Sequence, residues 1–307
     1  MTAIRTEQLT KRFGGFTAVR DLTLRVDDGE VFGFLGPNGA GKSTTIDMLL
    51  DFVRPTSGEL TVLGHDPRTE PRAVRERIGI LPEGYDLYDR LSARRHVELA
   101  IELAATDDDP DAVLRRVGLA DSAARSVGGF SKGMRQRLAL GMALVGEPDL
   151  LVLDEPSSGL DPQGAKEMRQ LVREEADRGA TVFFSSHILD QVEAVCDRVG
   201  IMNDAELVTV DTVDGLRSAT GSTSTLVVSV DNAPDVGPVQ EVEGVSDVTV
   251  VDDTLRIDCD DPGVKATVIS RIERAGATVT DIDVDETTLE DVFVEYTDET
   301  AAPEVHE

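Results

Sequence analysis

Long apolar runs are the first thing this sequence lacks. VFGFL at 31–35 and LLVL at 150–153 are typical of its apolar stretches. A membrane-spanning helix needs about 20 such residues in a row. The opening MTAIRTEQLTKRF has no apolar centre, so no secretory signal peptide is expected. Cysteine is scarce: Cys196 and Cys259 stand far apart without metal-type spacing. They read as ordinary small side chains in a reducing, cytosolic compartment. Lysine is scarce too, supplying 5 of the 30 basic residues against 59 acidic ones, for a net charge of -29. That balance opposes nonspecific nucleic-acid binding, which needs basic patches, so no nucleic-acid partner is expected. It suits multimolar salt, where the screening length falls to about 3 Å and self-repulsion is damped. A halophilic, haloarchaeal source follows as an expectation from composition.

What is present is enough for a core: 307 residues, 40% of them apolar. The length suggests one large domain with an appendage, or two domains. Strands are expected at 31–36, 77–83, 150–155, 181–186 and 198–203, each apolar on both faces as in a covered parallel sheet. Helices are expected between them at 42–52, 92–105, 111–117, 132–145, 163–178 and 188–197. Gly179 sits where a C-terminal cap belongs. The alternation predicts an α/β domain over 1–216 with a mostly parallel sheet. The stretch 84–145 interrupts it as a helical insertion.

RSATGSTS at 217–224 reads as a small-residue linker. Beyond it the order strand, helix, hairpin, helix, strand predicts a small α+β, ferredoxin-like domain over 225–307. This region holds most of the net negative charge: from Gly221 onward there are 22 acidic and 4 basic residues. In TTLEDVFVEYT, Leu289, Val292, Phe293 and Tyr296 recur at helical spacing. A helix packing that stripe on the small domain is the expected outcome.

Four motifs carry chemistry. GPNGAGKS at 36–43 fits G-x-x-x-x-G-K-[ST] between an expected strand and an expected helix. Gly36, Gly39 and Gly41, with Pro37, Asn38 and Ala40 between them, let backbone N–H groups curl around phosphate oxygens. Lys42 reaches the β- and γ-phosphates, the Ser43 hydroxyl ligates Mg²⁺, and Thr44 faces the α-phosphate. LLVLDEP delivers Asp154 to a strand end, where α/β sheets bind ligands. Asp154 would hold Mg²⁺ through water, and Glu155 would orient or deprotonate the attacking water. The alternative, an acidic pair that merely caps a strand, is disfavoured by the glycine-rich loop upstream. SSH at 185–187 ends another apolar strand and offers His187 to the γ-phosphate. FSKGMRQ at 130–136 puts Ser131 and Gly133 at a helix start that favours an anion. An ordinary serine cap explains Ser131 equally well when it is taken alone.

With its motifs in this order and spacing, the chain resembles the ATP-binding subunits of ABC transporters over about residues 3–215. FSKGMRQ is similar to the family signature, LSGGQ in its commonest form. GLD at 159–161, with Asp161, resembles the loop after the Walker B strand. His187 matches the switch histidine, and Phe13 in LTKRFG the aromatic that stacks on adenine. The resemblance implies a P-loop NTPase fold with a mostly parallel core sheet, an antiparallel β portion and a helical insertion. It implies ATP and Mg²⁺ as cofactors. It also implies a head-to-tail homodimer in which Ser131 and Gly133 face the partner's nucleotide. A separate transmembrane permease would dock near GYDLYDR at 84–90, so membrane contact at the cytoplasmic face would run through it alone. Two departures stand out. Glu83, in ILPE, occupies a position where the family usually has Gln, a residue that touches Mg²⁺ and the attacking water and senses the permease. Lys132 and Met134 replace a glycine and the glutamine of the signature. ILPE, FSKGMRQR and TTLEDVF resemble exporters with ABC-2-type permeases, multidrug and sodium exporters among them.

Other classes fit less well. DNA-repair and chromosome ATPases of this type carry long coiled coils between the P-loop and the signature, whereas 87 residues separate Lys42 from Phe130. Ribosome-associated members usually carry two P-loops in one chain. A non-hydrolysing regulator is disfavoured by intact Lys42, Asp154, Glu155 and His187.

Overall fold

The computed structural model describes residues 2–219, 224–232, 234–251, 253–259, 262–285 and 293. It divides into two units, Met1–Val213 and Asp214–Glu307.

In the first unit, two long strands open the chain. β1 (Thr2–Phe13) and β2 (Phe16–Asp27) form an antiparallel hairpin, and β4 (Ser57–Val62) pairs with the other edge of β1. These strands bury Ile4, Leu9, Val19, Leu22, Leu24 and Val26 while charged residues alternate outward. Such one-sided strands escape a search for solid apolar runs, and only the family resemblance anticipated this antiparallel portion.

The second sheet has the order β5-β6-β7-β3-β8-β9. Its members are β3 (Val31–Leu35), β5 (Ile78–Leu81), β6 (Leu150–Asp154), β7 (Thr181–Ser186), β8 (Arg198–Asn203) and β9 (Glu206–Thr212). Neighbours are parallel except β8 with β9. β3, β6 and β7 are buried along their whole length, as both-face coverage requires. Phe183 stacks on Phe32 at 5.9 Å between centroids and tilts against Phe34 at 5.1 Å, knitting β3 to β7.

The covering helices include α1 (Lys42–Leu49), α2 (Pro71–Arg75), α6 (Pro162–Asp177) and α7 (Leu189–Glu193). Several end earlier than the apolar pattern extends. The insertion expected at 84–145 contains α3 (Ala93–Ala104), α4 (Pro110–Arg116) and α5 (Lys132–Ala143). Each starts on a side-chain cap: Ser92, Asp109 and Ser131. An ion pair between partly buried Arg116 of α4 and buried Glu175 of α6 ties the insertion to the sheet domain. The loop at 84–90 is anchored by buried His96. Its Nδ1 donates to the Ser92 carbonyl at 2.8 Å, so its Nε2 accepts from the Tyr88 N–H at 2.9 Å.

α8 (Val213–Ala219) reaches into the stretch expected as linker, and residues 220–223 lie outside the described residues. In the second unit, β10 (Ser224–Val230), α9 (Gly237–Gln240), β11 (Val245–Val251), β12 (Thr254–Cys259), α10 (Lys265–Arg274) and β13 (Val279–Asp285) follow in turn. The sheet order β11-β12-β10-β13, with all neighbours antiparallel, is the ferredoxin-like arrangement. Leu226, Val228, Leu255, Ile257, Val268 and Ile272 form its core. Of the apolar stripe expected in the tail, Leu289, Val292 and Tyr296 lie outside the described residues.

Candidate active site

Strand register assembles the site. β7 lies between β6 and β3, with Asp154 opposite Ser185 and Leu35 opposite Ser186. Three strand ends therefore open on one edge. They carry the 36–43 loop, the Asp154–Glu155 pair and His187.

The loop turns on Gly41, the N-cap of α1, at φ 106°. A β-carbon there would stand 2.4 Å from the Ala18 carbonyl oxygen of β2. Glycine is thus required twice, for the left-handed backbone and for the close approach of β2. Lys42 is buried, and its Nζ donates to the carbonyls of Gly36 at 2.6 Å and Pro37 at 3.3 Å. Burial lowers the Lys42 pKa, while the charges of Glu155, Asp154 and Glu83 oppose the shift.

Asp154 and Glu155 are both buried. The Ser185 hydroxyl donates to Asp154 Oδ1. The Glu155 N–H donates to both the Ser185 carbonyl and the Ser185 Oγ, each at 3.2 Å. Glu155 sits at φ 48°, a left-handed conformation uncommon outside glycine. Its Oε1 accepts from His187 Nδ1 at 2.9 Å, and His187 is half exposed.

A cavity of about 210 Å³ lies against these groups, lined by Phe16, Ala18, Asn38, Gly39, Gly41, Lys42, Ser43, Thr44, Glu83, Asp154 and Glu155. Ser43, Glu83 and Asp154 give it hard oxygen donors with few carboxylates. That set fits Mg²⁺, which is usually held by one or two carboxylates together with substrate phosphates and water. A second cavity of about 440 Å³ shares Glu83, Asp154 and Glu155 and adds Lys132, Gln136 and Ser158.

The remaining expected residues are placed differently. Phe13 is half exposed beneath the Lys11 ammonium, 4.7 Å from its ring centroid, and Phe16 lines the nucleotide-loop cavity instead. Gly36, Pro37 and Ala40 shape the loop without lining the cavity. Ser131 Oγ accepts from the Met134 N–H at 3.3 Å, and Asp161 Oδ1 from the Gly164 N–H at 2.7 Å, each capping its own helix. Neither of these, nor Gly133, lines either cavity. Lys132 folds onto the loop after β6, its Nζ 2.0 Å from where a β-carbon of Gly159 would sit.

Sequence reasoning missed Phe16, Ser185, Tyr85 and Gln136. Ser185 leaves a trace, as a hydroxyl at the end of an otherwise apolar strand. Gln136 leaves one too, as a polar residue on the buried side of α5.

Residues 19–158 match the family model described as ABC transporter, and residues 212–297 match the one described as ATP-binding protein DrrA1-3-like, C-terminal domain. The linearmycin resistance ATP-binding protein LnrL of Bacillus subtilis (strain 168) is 33% identical over 307 residues, covering 97% of this chain and 99% of its own length. The chain belongs to the ATP-binding subunits of ABC transporters. The bacitracin transport ATP-binding protein BcrA of Bacillus licheniformis is 42% identical over 209 residues, which is 67% of this subunit and 68% of BcrA. A solved ATP-binding subunit of an ABC transporter, 30% identical, superposes with a TM-score of 0.65 over 72% of this subunit and 94% of that chain. ABC subunits of this kind hydrolyse ATP and work with a transmembrane permease. In this one, no described helix is long and apolar enough to cross a membrane.

Proposed function

We propose that this subunit drives export through a separate ABC-2-type permease, with two copies closing head to tail on two ATP molecules at the cytoplasmic face. One observation carries the reading: Glu155, hydrogen-bonded to His187, sits beside Asp154 at the wall of the cavity formed by the Lys42 loop. Glu155 takes the proton of the attacking water, and His187 orients its carboxylate. Lys42 leaves the Gly36 and Pro37 carbonyls for phosphate oxygens and offsets the charge developing on them. Ser43 and Asp154, with Glu83 near them, would hold Mg²⁺, which when bound neutralises phosphate charge. Phe13 supplies an adenine platform at the end of β1. Ser131 and Gly133, at the start of α5, serve the nucleotide of the opposite copy, as does Asp161. The ATP-binding domain over 1–216 and the small domain over 225–307 divide at the 217–224 linker. Relatives named for bacitracin and linearmycin support an antibiotic-like cargo, and the acidic composition is the ground for reading a high-salt source.

The test is Glu155→Gln. The variant keeps shape and hydrogen bonding but removes the base, so it is expected to bind MgATP, stop turnover and accumulate as a dimer in size-exclusion chromatography. Turnover at the wild-type rate would sink the assignment of the base.

A further inference from the structure

One buried polar side chain near the site has no part in the roles above. Gln136, on α5, is only 5% exposed, and its amide joins two other segments. The Tyr85 hydroxyl donates to Gln136 Oε1 at 2.9 Å, and Gln136 Nε2 donates to the Pro156 carbonyl at 2.5 Å. Chemistry fixes this orientation of the amide. A backbone carbonyl only accepts, so the NH₂ must face Pro156, which leaves the amide oxygen for the hydroxyl.

Pro156 follows Glu155 directly, and its ring fixes its own φ. Glu155 is therefore clamped on both sides. Ser185 holds its N–H, and Gln136 holds the carbonyl of the rigid residue after it. The clamp matters because Glu155 occupies a left-handed conformation that the surroundings must impose. Tyr85 lies two residues beyond Glu83, in the loop after β5, so the bridge spans that loop, the signature helix and the end of β6.

We propose that Gln136 is a positioning residue for hydrolysis, fixing Glu155 through Pro156 and making that placement depend on Tyr85. This rests on the reading of Glu155 as the base. Misplacing a reacting group by about 1 Å costs as much as 10²-fold in rate, whereas ATP is bound by a different loop. The prediction is thus a loss in kcat without a loss in affinity.

The experiment uses the full chain with Gln136→Met, which preserves length, Tyr85→Phe, which removes only a hydroxyl, and the double variant. MgATP turnover, KM and ATP affinity are measured for each. Gln136→Met is expected to lower kcat about 10-fold and Tyr85→Phe about 3-fold, with affinity within about twofold of wild type. The double variant is expected to be no slower than Gln136→Met alone, because both act through one bridge. Wild-type kcat in a folded Gln136→Met, affinity lost in step with kcat, or fully multiplicative losses in the double variant would each overturn the proposal. Should Gln136→Met fail to fold, Tyr85→Phe decides it, and unchanged kcat there overturns it. Glu155→Gln separates the two readings. If that variant turns over normally, the base is misassigned; if it is dead while Gln136→Met runs at full rate, only the positioning role falls.

Discussion

Gly41→Ala concentrates the nucleotide-loop argument in one methyl group. The added carbon would lie 2.4 Å from the Ala18 carbonyl oxygen, roughly 1 Å inside an ordinary nonbonded contact. That oxygen belongs to the backbone of β2 and cannot swing aside like a side chain. The residue must also hold φ 106°, and a left-handed backbone costs a residue with a β-carbon about 1–2 kcal/mol. Overpacking adds about 1–3 kcal/mol where the site cannot relax. The loop relieves both by moving away from β2, so most of the cost falls on its phosphate-binding form. A net penalty of about 3 kcal/mol corresponds to an ATP affinity lower by a factor of about 150. Titration with a fluorescent ATP analogue measures it, and the denaturant midpoint shows whether the fold survives. Affinity within threefold of wild type in a folded variant would refute the reasoning.

Arg116→Met strands the Glu175 carboxylate, which burial already holds above its ordinary pKa despite Arg116. Losing one partner of a buried pair costs about 3–5 kcal/mol. Arg178 still contacts Glu175 at 3.0 Å, so about 2–3 kcal/mol is expected in urea unfolding at pH 7. Because the folded pKa is raised, the native state takes up the proton first. Stability is lost as pH rises through that folded pKa, so the variant's deficit should shrink as pH falls toward 4.5. A deficit independent of pH would rule out the stranded carboxylate as its source. The net charge of -29 predicts that moving from molar to millimolar salt lowers the thermal midpoint. An unchanged midpoint in dilute buffer would exclude the high-salt reading.

The parts of this molecule that were plain in the sequence are those where one element does one job. β3, β6 and β7 are solid apolar runs because both faces are covered, and GPNGAGKS names its own loop. β1 and β2 were obscure because half of each strand meets solvent. The apolar pattern also overran helix ends such as Leu49, where capping rather than hydrophobicity decides. Within the site, Lys42, Asp154, Glu155 and His187 were legible from motif and strand position together. Ser185, Tyr85 and Gln136 were not, because their partners come from distant segments: Ser185 meets Asp154 across β6 and β7, and Gln136 meets Tyr85 across 51 positions. Phe16, at the cavity wall, went unnoticed because a lone aromatic in a strand does not say on its own which way its ring faces.

The Ser185 hydroxyl donates a hydrogen bond to Asp154 and accepts one from the peptide N–H of Glu155. These two neighbouring acids therefore cannot be altered as independent units. Changing Asp154 to Asn swaps a pure acceptor for a group that also donates, and wherever its NH₂ turns toward Ser185 the hydroxyl must reorient while still accepting from the Glu155 N–H. The disturbance then travels along one rotor into the main chain of Glu155. Kinetic losses measured for the two acids singly will overlap, and any partition of rate between them will count this shared oxygen twice.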